Sequence, residues 1–334
     1  MPGSAPDLMA VSTRWRWLIA ILISAGLLVI VITQVDGRTM LDTARNADPW
    51  LLLLALVALQ AEGISTALRL RVFTEARMGS RSPLAVSRYL QITADYVVML
   101  AVLPARLGEV AGIGLLCRGT GLRAAPATIN LFVQRLFDVT VLAVVFVLGA
   151  VLQERSWTSP LGAGFGALLI VGLVVALRWL WLPLGWCASA LLRFGRTGRL
   201  RKLTHMLLEA RTWHRRGLDP QRVRKGLTWT LSKWATHLVA FALVLRALHL
   251  PVSLGEAMLL GAAFNCLSVV PLQTVGGIGI GEAGLAGLLV LQGQTVETAA
   301  SAAILVRLVL LIAPPLFWLW VRLLTAGRAS EATA

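Results

Sequence analysis

The stretch Val270–Gly284, VPLQTVGGIGIGEAG, decides how this chain can fold. Apolar runs flank it on both sides, yet it cannot form an ordinary membrane-crossing helix. Gly276, Gly277, Gly279 and Gly281 loosen the backbone, because each glycine costs a helix interior about 1 kcal/mol relative to alanine. Pro271 removes a backbone donor at its start. Glu282 then places a carboxylate where water is scarce. Ionisable groups at that depth face protein or a water-filled cavity, and irregular backbone is tolerated there under the same condition. A glycine-rich loop lying at the membrane surface is the plainer alternative; the flanking apolar runs argue for the membrane interior.

The rest of the chain supports that reading. Of its 334 residues, 57% are hydrophobic and 14% are charged, the composition of an integral membrane protein rather than a soluble domain. The formal net charge of +15 is distributed in loops between apolar spans, so no nucleic-acid partner is expected. Cys117, Cys187 and Cys266 stand alone in or beside apolar runs and read as small buried hydrophobes. There is no nucleotide-binding loop, no Ser/His/Asp order and no metal-ligand spacing, so neither a cofactor nor covalent catalysis is expected.

Six runs are long enough to cross a bilayer: Trp17–Thr33, Trp50–Leu68, Asn130–Leu152, Leu161–Leu182, Leu227–Leu248 and Ala299–Leu323. Arg69, Arg71, Arg77, Arg81 and Arg88 follow the second, which places that loop, and both termini, on the cytoplasmic side by the positive-inside rule. Residues 192–225 hold eleven Arg or Lys and read as a basic cytoplasmic segment. Within it, Leu200, Leu203, Met206, Leu207 and Trp213 share one helical face, which suits an interfacial helix on anionic lipid; a solvated linker helix is the alternative.

Parity then constrains the remainder. The segment from Arg81 to Arg123 begins and ends among cytoplasmic arginines, so it must enter and return. Its second arm, Gly108–Cys117, has ten residues, about 15 Å as a helix, too short for a core of about 30 Å. A re-entrant hairpin near residues 89–117 is predicted, with a second, entering from the opposite side, near 257–291. The whole reads as an all-α membrane protein of about six transmembrane helices plus two oppositely oriented re-entrant hairpins. It forms one membrane domain with halves at 14–152 and 161–323. Glu109 after Gly108 precedes Arg135 by 26 residues, and Glu282 after Gly281 precedes Arg307 by 25. That match suggests an inverted repeat, a recurrent transporter design.

Arg106, Glu109, Arg135, Asp138, Glu282 and Arg307 are therefore the candidate functional charges. Arg135 and Asp138 are three apart and share a helical face, which also suits a purely structural pair. Arg106 and Glu109 could pair across a turn. Arg307 has no charged neighbour in its own span, and Glu282 or a lipid phosphate would serve as its partner. Glu62 reads as reaching the interface beside Arg69, and Lys233 as snorkelling to the cytoplasmic surface.

In order, LPARLGEV, VQRLFDVTVL, VPLQTVGGIGIGEAGLAGLLVLQG and AAILVRLVLLIAP resemble the lysylphosphatidylglycerol synthase transmembrane-region family, flippase-like membrane proteins. The likeness covers roughly Arg14 to Leu323. It implies translocation of a phospholipid or polyprenyl-linked headgroup across the bacterial inner membrane, without the synthase's soluble transfer domain. By motif match, the headgroup pathway would comprise Arg106, Glu109, Arg135, Asp138, Gly277, Gly279, Glu282 and Arg307. The family usually has Glu before the Arg of its RxxD motif, where this chain has Gln134. A membrane-embedded transferase and a non-catalytic scaffold of envelope-lipid biogenesis are the competing readings. The oligomeric state is left open, a homo-oligomer included.

Overall fold

A computed structural model describes residues 37–78, 84–103, 107–152, 220–267 and 280–331. All regular structure among them is helical. In chain order the helices are α1 (Gly37–Asn46), α2 (Pro49–Met78), α3 (Val86–Val102), α4 (Leu107–Thr120), α5 (Ala124–Leu152), α6 (Pro220–Ala247), α7 (Leu254–Leu267), α8 (Ile280–Leu291) and α9 (Val296–Glu331). Stretches within α2, α5 and α9 (Pro49–Glu75, Ala124–Gly149 and Val296–Ala326) are long and apolar enough to cross a membrane. The expected spans Trp17–Thr33 and Leu161–Leu182, and the basic segment up to residue 219, lie outside the described residues.

Local signals explain where several helices begin and end. Asp48 accepts hydrogen bonds from the Trp50 and Leu51 amides at 2.8 and 3.2 Å, an N-cap followed by proline at the first helical position. Ser253 and Glu256 form a reciprocal capping box before α7. α4 and α8 are each followed by a left-handed glycine, Gly121 at φ 72° and Gly293 at φ 93°, which lets the chain turn at once into the long helix that follows.

α2 and α6 run antiparallel. The Asp48 amide donates to the Ala247 carbonyl at 3.0 Å, Ser65 and Ser232 share a hydrogen bond at 3.0 Å, and Gly226 leaves room for the Phe73 ring. α3 and α4 fold back on each other, with Gly108 against Leu100, Gly112 against Tyr96 and Gly119 against Ile92. Glycine at these three positions lets the two backbones approach. α7 and α8 also pack together, with Gly281 against Phe264. At 17, 14, 14 and 12 residues, the four short helices are about 18–26 Å long, less than a hydrocarbon core.

Among the described residues, the two largest of four apolar clusters join most of the helices. One joins Leu59, Leu245, Leu260, Leu285, Leu289 and Val306 from α2, α6, α7, α8 and α9. The other joins Leu70, Tyr89, Ile92, Leu116 and Ala127 from α2, α3, α4 and α5. Along α2 the polar positions Glu62, Ser65 and Arg69 come between Leu59 of the first and Leu70 of the second. α9 carries Pro314 and Pro315 in its interior, so the carbonyls four residues earlier, on Leu310 and Leu311, lose their helical donors.

One expectation fails at the end of α2. Arg69 was assigned to a cytoplasmic loop, but the helix continues to Met78 and Arg69 is only 3% exposed. A hydrophobicity run ends at the first charge; a helix does not, when a neighbouring helix supplies the counter-charge.

α9 crosses α2 where Phe317 lies over Gly63. A Cβ at position 63 would sit 2.5 Å from the ring. Gly63→Val is expected to cost about 1–3 kcal/mol, read as a lower unfolding midpoint in detergent; an unchanged midpoint would show that the ring moves aside freely.

Candidate functional site

α5 supplies one polar face, Asn130, Gln134 and Asp138, at four-residue spacing and all buried. Arg69 grips this face from α2. Its Nη1 and Nη2 donate to the two Asp138 oxygens at 2.5 and 3.3 Å, and its Nε donates to Gln134 Oε1 at 3.1 Å. Gln134 donates onward to Asn130, and Asn130 to Thr74, both at 2.9 Å. α6 completes the hub, with Lys233 Nζ 3.0 Å and Trp234 Nε1 2.9 Å from Asp138 Oδ1. A buried carboxylate needs such partners, because an uncompensated one costs several kcal/mol. The expectation that Lys233 snorkels to the surface is corrected here: its residue is 8% exposed, since Asp138 offers a nearer and better-fixed partner than solvent. The Glu62 expectation changes likewise, for Glu62 Oε2 lies 2.9 Å from His237 Nδ1.

Two glutamate–arginine pairs flank the hub. Glu109, in the first turn of α4, lies 3.2 Å from Arg135 of α5. Glu282, in the first turn of α8, lies 3.2 Å from Arg307 of α9. Each carboxylate thus sits where the helix dipole favours a negative charge, and each arginine belongs to the long helix that follows. Arg135 and Asp138 do share a face, but they approach only to 4.0 Å. Asp138 is already held by Arg69 and Lys233, so Arg135 is left to Glu109 and to Tyr96, whose hydroxyl accepts from Arg135 Nη2 at 3.5 Å.

These groups meet in a cavity of about 550 Å³, within the size range of ligand pockets. Glu109, Arg135, Asp138, Asn265, Arg307 and Tyr96 line it, together with apolar Leu100, Leu131, Leu142 and Pro314. Leu310 and Leu311, whose carbonyls the prolines release, line it too. Arg135 is 45% exposed at its side chain. A second cavity, of about 230 Å³, adjoins the first and shares Tyr96, Arg135, Asp138, Trp234 and Asn265 with it. Glu62, Arg69, Lys233 and His237 complete its wall.

Of the residues the sequence singled out, Glu109, Arg135, Asp138 and Arg307 line one cavity, and Glu282 reaches it through Arg307. Arg106, Gly277 and Gly279 lie outside the described residues, and with them any pairing of Arg106 with Glu109. Sequence reasoning missed Arg69, Lys233, His237 and Asn265 as members of the site. The signal for two of them was present: Lys233 and His237 are four apart in an apolar span, an arrangement that marks a polar face as well as it marks a snorkelling end.

A family model for the lysylphosphatidylglycerol synthase TM region matches residues 17–317. The chain belongs to that family. No curated protein matches it. The match covers every charged residue described above, and membership assigns this member of the lysylphosphatidylglycerol synthase TM region family to the membrane and to lipid modification or translocation.

The hub and the flanking pairs make different demands on stability. Asp138→Asn removes the carboxylate that Arg69 and Lys233 share and is expected to cost about 3–5 kcal/mol. Arg135→Gln, at a more exposed pair, should cost about 1 kcal/mol or less. Equal shifts of the two unfolding midpoints in detergent would refute this ordering.

Proposed function

We propose that the protein flips a phospholipid or lipid-linked headgroup across the bacterial inner membrane. One observation carries the reading: Arg135 and Arg307, each beside a carboxylate in the first turn of a short helix, line the same cavity within the helical bundle. A guanidinium offers paired, charge-assisted hydrogen bonds to phosphate. In a cavity of low dielectric these replace the water that a headgroup sheds on leaving the interface. The two glutamates keep the arginines charged and positioned while the cavity is empty, and exchange them for phosphate when a headgroup arrives. Apolar side chains on the same walls suit the glycerol backbone and acyl chains.

In this reading α3–α4 and α7–α8 are re-entrant hairpins that dip from opposite leaflets, and the two halves form an inverted repeat. Three features support it. The short helices fall below the length of a hydrocarbon core. The Glu–Arg pairs recur at the same place in both halves with the same 3.2 Å separation. Both second arms end in a left-handed glycine before a long helix. The termini are cytoplasmic by the distribution of arginine, residues 192–225 rest on anionic lipid, and the reaction breaks no covalent bond.

Reconstitution in vesicles with a headgroup-labelled phospholipid tests the reading. The wild type should equilibrate label between leaflets. Arg135→Ala and Arg307→Ala should each slow this by at least about tenfold, or about 1.4 kcal/mol in the barrier, while still inserting into the membrane. Full translocation by both variants would defeat the assignment.

A further inference from the structure

The smaller cavity contains a group of residues that phosphate recognition does not use. His237 of α6 lies between Glu62 of α2 and Asn265 of α7. Its Nδ1 is 2.9 Å from Glu62 Oε2, and its Nε2 is 3.1 Å from Asn265 Nδ2. The same Asn265 nitrogen donates to the Gly261 carbonyl at 2.8 Å. An amide NH2 has two hydrogens, so one goes to Gly261 and the other to His237. Nε2 is then an acceptor, and the ring's single proton sits on Nδ1 and is donated to Glu62. The ring is 8% exposed, with Nδ1 against the Glu62 carboxylate and Nε2 against the Asn265 amide.

The surroundings make the Nε2 lone pair consequential. Facing the cavity are Glu62 and Arg69 from α2, Tyr96 from α3, Arg135 and Asp138 from α5, and Lys233 from α6. Glu109 of α4 pairs with Arg135, and across the larger cavity Arg307 of α9 pairs with Glu282 of α8. Arg69, Lys233 and Arg135 balance Glu62, Asp138 and Glu109, and Arg307 balances Glu282. With His237 neutral the set carries no net charge. A proton on Nε2 would give this set of described residues a net positive charge. The cavity is roomy enough for several waters at about 30 Å³ each and polar enough to hold them; Thr93 Oγ1, on its wall, has no hydrogen-bond partner among the described residues. Among the described residues no group of three His, Cys, Asp or Glu side chains is placed to hold a metal ion.

We propose that Glu62, His237 and Asn265 form a proton-binding site whose occupancy strengthens binding of an anionic phosphodiester headgroup in the adjoining cavity. A hydronium proton from bulk solvent bonds to Nε2 and leaves a water behind, and Nδ1–H stays on Glu62. The Asn265 amide turns so that its oxygen accepts from Nε2–H, which breaks the Asn265–Gly261 hydrogen bond. The added positive charge sits beside walls common to both cavities, where Asn265, Trp234 and Asp138 contribute to each. By linkage the effect is reciprocal, so a bound phosphodiester favours the proton equally. Histidine suits this role because its ordinary charge change falls between about pH 5 and 8. The inference rests on the headgroup reading above and adds to it a coupled ion and the sign of the coupling.

The test measures binding of a short-chain phosphatidylglycerol to the full chain in detergent between about pH 5.5 and 8. This probe's phosphodiester stays singly charged over the whole range, so any pH dependence belongs to the protein. Affinity should be about fivefold or more tighter at the acid end. In weak buffer near neutrality, an indicator dye should record proton uptake on binding. His237→Gln retains His205, His214 and His249 and should bind the probe with little pH dependence and no proton uptake; Glu62→Gln should also change the profile. Wild-type binding that is level across the range, without proton uptake, would overturn the proton site and leave the headgroup reading standing. Unchanged pH dependence in a correctly eluting His237→Gln would do the same. Absence of binding at every pH would remove both. Should the variants not fold, the wild-type affinity profile and dye signal decide.

Discussion

The buried carboxylate of Asp138 is the constraint on which the site depends. It is the meeting point of three helices, taking a forked guanidinium from α2 and an ammonium and an indole N–H from α6. Charges removed from water are stabilised only in good geometry with their remaining hydrogen-bonding capacity met. The Gln134–Asn130–Thr74 chain meets part of that need for Arg69. The neutral amide of Gln134 suits this hub: it accepts from Arg69 and donates to Asn130, which a carboxylate could not do.

Satisfying Asp138 from α2 and α6 has a consequence for Arg135. Arg135 shares a face with Asp138 but is not needed to neutralise it. It turns instead toward Glu109 and Tyr96, with nearly half its side chain exposed. The second half repeats the arrangement with Glu282 and Arg307, in a more enclosed form. In both, a carboxylate at a helix N-terminus meets a guanidinium one helix later. A carboxylate shared by three helices and a carboxylate at a helix N-terminus facing one arginine are different uses of the same chemistry.

The polar core also explains how α6 can be 28 residues long and yet not be among the helices whose composition alone would let them cross a membrane. Its Lys233, Thr230 and His237 face inward, onto groups supplied by α2, α5 and α7. A charged side chain weighs against a span only while its partner is unknown.

Sequence alone determined the class of this protein and the chemistry at its centre. Hydrophobic run length and charge placement are local properties, and they suffice to indicate a helical membrane protein. They suffice also to single out Glu109, Arg135, Asp138, Glu282 and Arg307, because an ionisable group within an apolar run is conspicuous whatever surrounds it. The recurring Gly-Glu followed by Arg about 25 residues later is legible for the same reason. Which acid meets which base was decided only by the tertiary structure. Arg69 looked like a loop residue and Lys233 like an interfacial one, since each lies near the end of its apolar run. Both became core residues once α5 brought Asp138 between them. Glu62, His237 and Asn265 come from three different helices, and no spacing along one helix encodes their contact. Pairing energies depend on distance and burial, and those are properties of packed helices rather than of the order of residues along any one of them.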